Sequence, residues 1–146
     1  MMNFNFRLER VLNFKENMEE IKKAEYGSAR QKLNKEEDKL ENFNYHKNNI
    51  KDEKDLLTAK TKAGNLAMYN DYILDLDKKI KVQKDVVNKT ELELEKAKEE
   101  MINAVQEKKT FEKLKEKEYE KYLYQIKKTE EKQLDTIVNY RTSTQQ

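Results

Sequence analysis

A heptad repeat in the second half of this chain constrains its fold more than any other feature. Alternating steps of three and four residues pass through fourteen positions, of which eleven are apolar or aromatic. These positions are Leu66, Tyr69, Ile73, Leu76, Ile80, Gln83, Val87, Thr90, Leu94, Ala97, Met101, Ala104, Lys108 and Phe111. A repeat held this long requires a partner helix along its whole length, and its period predicts a left-handed supercoil.

The first half of the chain carries a matching stripe with the same spacing. Its apolar members are Tyr26, Ala29, Leu33, Leu40, Phe43, Ile50 and Leu57, and its polar interruptions are Glu36, Lys47 and Lys54. A second stripe in a different phase comprises Leu8, Val11, Phe14, Met18 and Ile21. Steps of four through Ile21, Glu25, Ala29 and Leu33 join the two stripes. This junction predicts a stutter, which locally unwinds a supercoil.

The segment between the two halves, residues 58–65, has no large apolar side chain and predicts a turn. We expect Gly64 to take a positive φ angle at a helix C-terminus and Asn65 to cap the next helix. The boundaries are helix one at about 4–60, a turn at about 61–65, helix two at about 66–140 and a frayed tail at 141–146. Because a short turn makes its helices antiparallel neighbours, we predict an all-α fold of two long helices in an antiparallel left-handed coiled coil, one domain over residues 1–146.

The predicted register leaves the end of helix two without a partner in its own chain. With Leu57 opposite Tyr69, pairing stops near Glu118. The remainder still carries Ile126, Leu134, Ile137 and Val138. Unpaired apolar residues on a helix indicate a docking surface. Among the tyrosines, we expect Tyr69, Tyr119 and Tyr122 to pack in the core and Tyr72 and Tyr124 to be exposed, where they either contact a partner or simply face solvent.

Composition excludes several classes of function. Hydrophobic residues make up 36% and charged residues 41%, which is too little apolar material for a globular core. The absence of Cys removes thiolate chemistry, and no apolar run approaches the ~20 residues of a membrane span, so we expect a soluble intracellular protein. The net charge of +2, with both signs interspersed, argues against nucleic-acid binding. Catalysis needs a pocket, which two paired helices lack, and His46 is the single histidine. We therefore predict no enzymatic activity, no catalytic residue, no metal and no cofactor.

Four segments carry a resemblance to a known family. Residues 6–12 read FRLERVL, residues 69–76 read YNDYILDL, residues 107–114 read EKKTFEKL and residues 130–141 read EEKQLDTIVNYR. In order and over nearly the whole chain, they resemble motifs of the flagellar type III export protein FliJ family. The last segment departs from that family at Thr136, where an acidic residue is usual, and at Val138, where Ala is usual.

The resemblance implies a coiled-coil stalk similar to the central shaft of rotary ATPases, acting in the bacterial flagellar export apparatus. Implied partners are the hexameric flagellar export ATPase, the cytoplasmic part of the export gate and export chaperones. The implied location is cytoplasmic, peripheral at the inner face of the cell membrane at the flagellar base. Gate-binding candidates are Tyr72, Leu76, Lys79 and Gln83. ATPase-binding candidates are Leu8, Val11, Leu12, Leu134, Asp135, Ile137 and Arg141.

Two other functions stay open at this point. A structural coiled coil that dimerises in parallel as a tether would not need a turn at Gly64 and Asn65. An export chaperone that sequesters a substrate helix would keep its C-terminal apolar residues uncovered when no partner is present.

Overall fold

Two long α-helices make up nearly all of this computed structural model, which describes residues 3–57 and 63–144. Helix α1 spans Glu9–Leu57 and helix α2 spans Ala63–Thr144, with lengths of 49 and 82 residues. Within the described residues there is no β-strand. The chain contains no proline, and its Glu, Lys and Leu residues favour helix, so nothing in the sequence interrupts either element. The all-α prediction is confirmed.

The chain divides into two units, and one consists of Met1–Glu20 with Ile102–Gln146. Here α1 and α2 are antiparallel, because contacts move back along α2 as they move forward along α1. Ion pairs at 2.9–3.0 Å join the Nζ atoms of two lysines to glutamates of the facing helix, in the pairs Glu9–Lys115 and Lys15–Glu107.

The second unit, Ile21–Met101, shows the same antiparallel pairing. Its interhelical polar contacts proceed in opposite directions along the two helices, through Lys22–Glu100, Lys32–Glu93, Glu36–Gln83, Lys47–Asp77 and Lys54–Asn70. The predicted antiparallel pairing of two long helices is therefore confirmed.

The predicted stripe on α2 is the buried seam of the helix. All fourteen heptad positions from Leu66 to Phe111 are buried or half-buried. The most buried members are Leu76, Ile80, Gln83, Val87, Thr90 and Ala104, each with at most 8% of its surface exposed. The polar members stay inside because each has a hydrogen-bond or ion-pair partner, either in its own helix or in the facing one. Thr90, for example, donates a hydrogen bond from its hydroxyl to the Val86 carbonyl at 2.7 Å.

The seam of α1 differs from the prediction near its N-terminal end. The expected stutter is absent, because Phe14 and Ile21 are exposed at 57% and 49%. Lys15, Glu19 and Lys22 face α2 instead, and they continue the three-four rhythm of the later stripe without interruption. Charged groups occupy these inner positions because carboxylates and ammonium groups of α2 pair with them. From Tyr26 onward the predicted positions are half-buried, apart from Leu57 at the end of the helix.

The element boundaries also differ from those expected. Helix α1 begins at Glu9 rather than near residue 4. Phe4 and Phe6 precede it in a segment without regular structure and both face the protein interior, since alternate residues of an extended segment share a side. Helix α2 begins at Ala63, so Gly64 and Asn65 lie in its first turn rather than ending and capping helices. Residues 61 and 62 of the predicted turn lie outside the described residues. The prediction of a single domain over residues 1–146 stays a prediction.

Candidate functional surfaces

The C-terminal end of α2 forms a surface that nothing in the described chain covers. Every residue from 127 to 144 is exposed although the helix continues to Thr144, beyond the end expected near residue 140. We call residues 127–144 the overhang. Between 50% and 68% of the surface is exposed for its four large apolar residues, Leu134, Ile137, Val138 and Tyr140. Arg141 is exposed here too, as is Asp135, and the expected tail therefore remains helical through residue 144.

The overhang begins later than the sequence predicted. The ring centroid of Phe4 lies 5.2 Å from that of Tyr119 and 5.5 Å from that of Tyr122, so the N-terminal segment reaches past Glu118. An extended residue advances about 3.3 Å along a neighbour and a helical residue only about 1.5 Å, which explains the longer reach of residues 3–8. Ile126 is half-buried as a consequence and does not belong to the overhang.

The ATPase-binding candidates fall into two separate groups. Leu12 is only 3% exposed and Leu8 is half-buried in the seam, so these two side chains pack against α2, whereas Val11 is half-buried beside the seam. Leu134 lies twelve residues beyond Tyr122, which faces Phe4, and this corresponds to about 18 Å along the helix. The structure does not bring the two groups together into one cluster.

The four gate-binding candidates divide between surface and seam. Tyr72 is 42% exposed, and Lys79 is exposed and paired with Asp75 at 3.4 Å. Leu76 and Gln83 are buried, with 3% and 8% of their surface exposed. A rigid partner can therefore reach Tyr72 and Lys79 directly, whereas the other two support the helix from inside.

Tyr72 contacts His46 of the facing helix. Its hydroxyl lies 2.7 Å from Nε2 of His46, and the two rings meet edge to face with centroids 5.7 Å apart. His46 therefore makes a structural contact with Tyr72 on the surface of the helix pair. Tyr72 also borders an open apolar groove. The sequence did not predict this groove, because we expected two paired helices to lack a pocket. The groove is lined by Leu57, Asn65, Met68, Tyr69 and Tyr72. Met68 could have indicated the groove, because it is an apolar residue that lies outside the heptad positions. It is 71% exposed in the structure.

Two polar layers of the seam each join a buried side chain to the facing helix. In one, the Gln83 side-chain amide donates to the Glu36 carboxylate at 2.7 Å and to the Glu36 backbone carbonyl at 2.9 Å. In the other, Nζ of Lys108 pairs with the carboxylate of Glu19 at 2.6 Å, and Glu19 is 6% exposed. The hydrogen bond from Gln83 lowers the pKa of Glu36, and the hydrogen bond to Glu19 raises the pKa of Lys108. Such layers favour one register, because any slip of the helices would bury the same groups without partners.

Comparison with protein families accounts for this arrangement of helices. The family model for the flagellar FliJ protein matches residues 4–146 of the chain. The chain belongs to the FliJ family. As a FliJ-family member it is a coiled-coil protein associated with flagellar type III export, in a family of non-enzymatic, cytoplasmic export components.

A solved structure shares the fold of this FliJ-family chain. It is that of CT670 from Chlamydia trachomatis, a proposed YscO homolog, with a TM-score of 0.62 and 20% sequence identity. The alignment covers 99% of each chain, so the two share their fold over the whole length. No curated protein matches the sequence.

The described residues of this FliJ-family chain hold no cluster of three or more metal-binding side chains. Among the described helices, none is both long and apolar enough to cross a membrane.

Proposed function

We propose that this protein is the stalk of the flagellar export ATPase and links the ATPase ring to the export gate and to export chaperones at the inner face of the membrane. The observation that carries the proposal is the exposed overhang of a FliJ-family helix pair. Its apolar side chains face water at a cost of about 25 cal/mol per Å², which a partner surface would remove. Asp135 and Arg141 flank these side chains and would orient the contact, since charged groups at a rim favour specificity.

The overhang is the part of the chain that we assign to the ATPase. Leu12 is buried and Leu8 is half-buried in the seam, so their contribution is to hold α1 against α2 next to the docking end, and Val11 lies beside them outside the seam. Hydrogen exchange tests this assignment. Because no other segment packs on the overhang, its amides should exchange fast in the isolated protein. Adding the hexameric ATPase should slow exchange in residues 127–144 and leave the buried stretch around Val87 unchanged. Equal protection of both regions, or of neither, contradicts the assignment.

The export gate would contact the surface that carries Tyr72 and Lys79. Tyr72 supports this proposal because it presents an exposed aromatic face whose orientation is set by His46, and tyrosines placed in this way are common in binding surfaces. Tyr72→Ala combined with Lys79→Ala should weaken binding to the cytoplasmic part of the gate, and the lost contact with His46 should cost about 1 kcal/mol of stability or less. Tyr124→Ala is a matched control, because Tyr124 is exposed to 62% near the other end of α2. Equal loss of gate binding in the control variant would refute the assignment.

An export chaperone remains a second candidate function, because its expected feature is also present. The overhang keeps its apolar residues exposed in the isolated chain, as a protein that captures substrate helices would require. The parallel tether is less compatible, since the interhelical contacts within each unit are antiparallel. A chaperone would bind unassembled export substrates without the ATPase. A stalk would bind the ATPase and stimulate its turnover without any substrate present.

A further inference from the structure

A second exposed apolar strip lies on the outer side of α1 near its start. Val11, Phe14 and Met18 follow one another at helical spacing, and we call these three residues the α1 strip. Phe14 is 57% exposed and the other two are half-buried. The seam of α1 uses Leu12, Lys15 and Glu19 instead, so the strip lies beside the seam and is not part of it.

The overhang carries a stripe with the same spacing. Leu134, Ile137 and Arg141 repeat the steps of three and four that separate Val11, Phe14 and Met18. An unpaired helix keeps 3.6 residues per turn, so Ile137, eighteen residues after Tyr119, lies on the side of α2 that Tyr119 turns toward Phe4. No described residue covers that side of the overhang. One copy of the chain cannot bring its own two stripes together, because the helix is continuous and Leu134 lies about 18 Å beyond Tyr122.

Charges at the ends of the two stripes determine how they can be aligned. Arg7 and Arg10 precede the α1 strip, whereas Glu130 and Glu131 precede the overhang stripe. None of these four residues has an ion-pair partner in the part of the chain that the structure describes. A parallel alignment that pairs Val11 with Leu134 places Arg7 opposite Glu130 and Arg10 opposite Gln133, two residues from Glu131. An antiparallel alignment would place them beside Arg141, where like charges repel.

We propose that two copies of this protein associate tail to tail, with the overhang of each copy packed parallel to the α1 strip of the other. Because α1 and α2 are antiparallel next to the overhang, two such contacts are related by a two-fold axis and the dimer closes. Closure matters energetically, since each contact joins only three side chains on either helix and two contacts share one loss of translational freedom. The dimer covers the surface assigned above to the ATPase, so self-association and ATPase binding exclude each other.

Disulfide trapping tests the predicted alignment directly, because the chain has no native Cys. Phe14→Cys combined with Ile137→Cys should form, on mild oxidation, a covalent dimer of twice the 17.6 kDa chain mass. The matched control combines Phe14→Cys with Leu92→Cys, because Leu92 is exposed to 73% and belongs to neither stripe. Equal cross-linking in both variants, or none in the first, overturns the proposal.

Sedimentation equilibrium of the full chain provides the second measurement and needs no ATPase, so its result is independent of the stalk proposal. The wild-type mass should double as concentration rises into the high-micromolar range. Phe14→Glu and Ile137→Glu should each weaken the dimer about tenfold or more without changing helical circular dichroism. Replacing Arg7 and Arg10 by Glu should weaken it too, and adding Glu130→Lys with Glu131→Lys should restore it. A monomer at every concentration, or a dimer insensitive to all these changes, refutes the association.

Discussion

Leu76 and Leu74 offer a matched test of the seam, because they are two residues apart on α2 and differ in burial. Leu76 is 3% exposed and Leu74 is 59% exposed. Truncating a buried Leu to Ala costs about 2–5 kcal/mol, and we expect about 2–3 kcal/mol for Leu76→Ala because a two-helix seam relaxes more easily than a globular core. Leu74→Ala removes side-chain atoms that are mostly in water already, so its cost should be within about 0.5 kcal/mol.

The assay is urea unfolding followed by circular dichroism at the helix band, with the free energy of unfolding taken from the midpoint and slope. For a chain of this length, the expected loss in Leu76→Ala corresponds to a fall in melting temperature of about 4–12 °C. Equal shifts for the two variants would show that Leu76 does not lie in a packed seam. A larger shift for Leu74→Ala would place the helix in the opposite phase and refute the register.

Three further predictions concern individual contacts. Gln83→Met removes the hydrogen bond that lowers the pKa of Glu36. That hydrogen bond stabilises the fold above the ordinary carboxyl pKa of 4.5, and its contribution to stability is lost as the pH falls below that value. The melting temperature of the variant should therefore change less than that of the wild type between about pH 7 and pH 3. Phe4→Ala should cost about 1–2 kcal/mol in urea unfolding, because it removes the ring contacts to Tyr119 and Tyr122, and an unchanged midpoint would mean that the N-terminal segment does not pack there. Gly27→Ala should stabilise the chain by about 0.5–1 kcal/mol in the same assay, since an added methyl group has no neighbour within 4 Å, and a destabilised variant would contradict the helical environment of Gly27.

The α2 seam could be predicted in full because its sequence keeps one phase from Leu66 to Phe111. Periodicity predicted the wrong buried face at the start of α1, because the apolar residues there repeat in one phase and the buried residues repeat in another. Lys15 and Glu19 lie inside because Glu107 and Lys108 face them, and a pairing between distant residues leaves no periodic trace in either helix alone. The prediction that Phe14 is a seam residue was wrong because it rested on hydrophobicity alone and took no account of these ion pairs.

The candidate surfaces could be predicted only in part. The unequal lengths of the two heptad regions predict the overhang. The residue at which it starts depends on Phe4, and no helical pattern predicts the extended backbone of that segment. The burial of Gln83 follows from its heptad position, and its hydrogen bonds to Glu36 required the facing helix to be placed. Exposed Tyr72 was predicted from its position outside the stripe, whereas its contact with His46 depends on the register between the helices.

The most direct test of the stalk is the ATP turnover of the hexameric flagellar export ATPase with and without this protein. The full chain should stimulate turnover. A chain truncated after Lys128 lacks the apolar residues of the overhang but keeps the seam, so it should remain helical and fail to stimulate. Leu92→Ser in the full chain is the control, because Leu92 is 73% exposed, lies outside the overhang and should not be needed for stimulation. Stimulation by the truncated chain equal to that by the full chain would contradict the account.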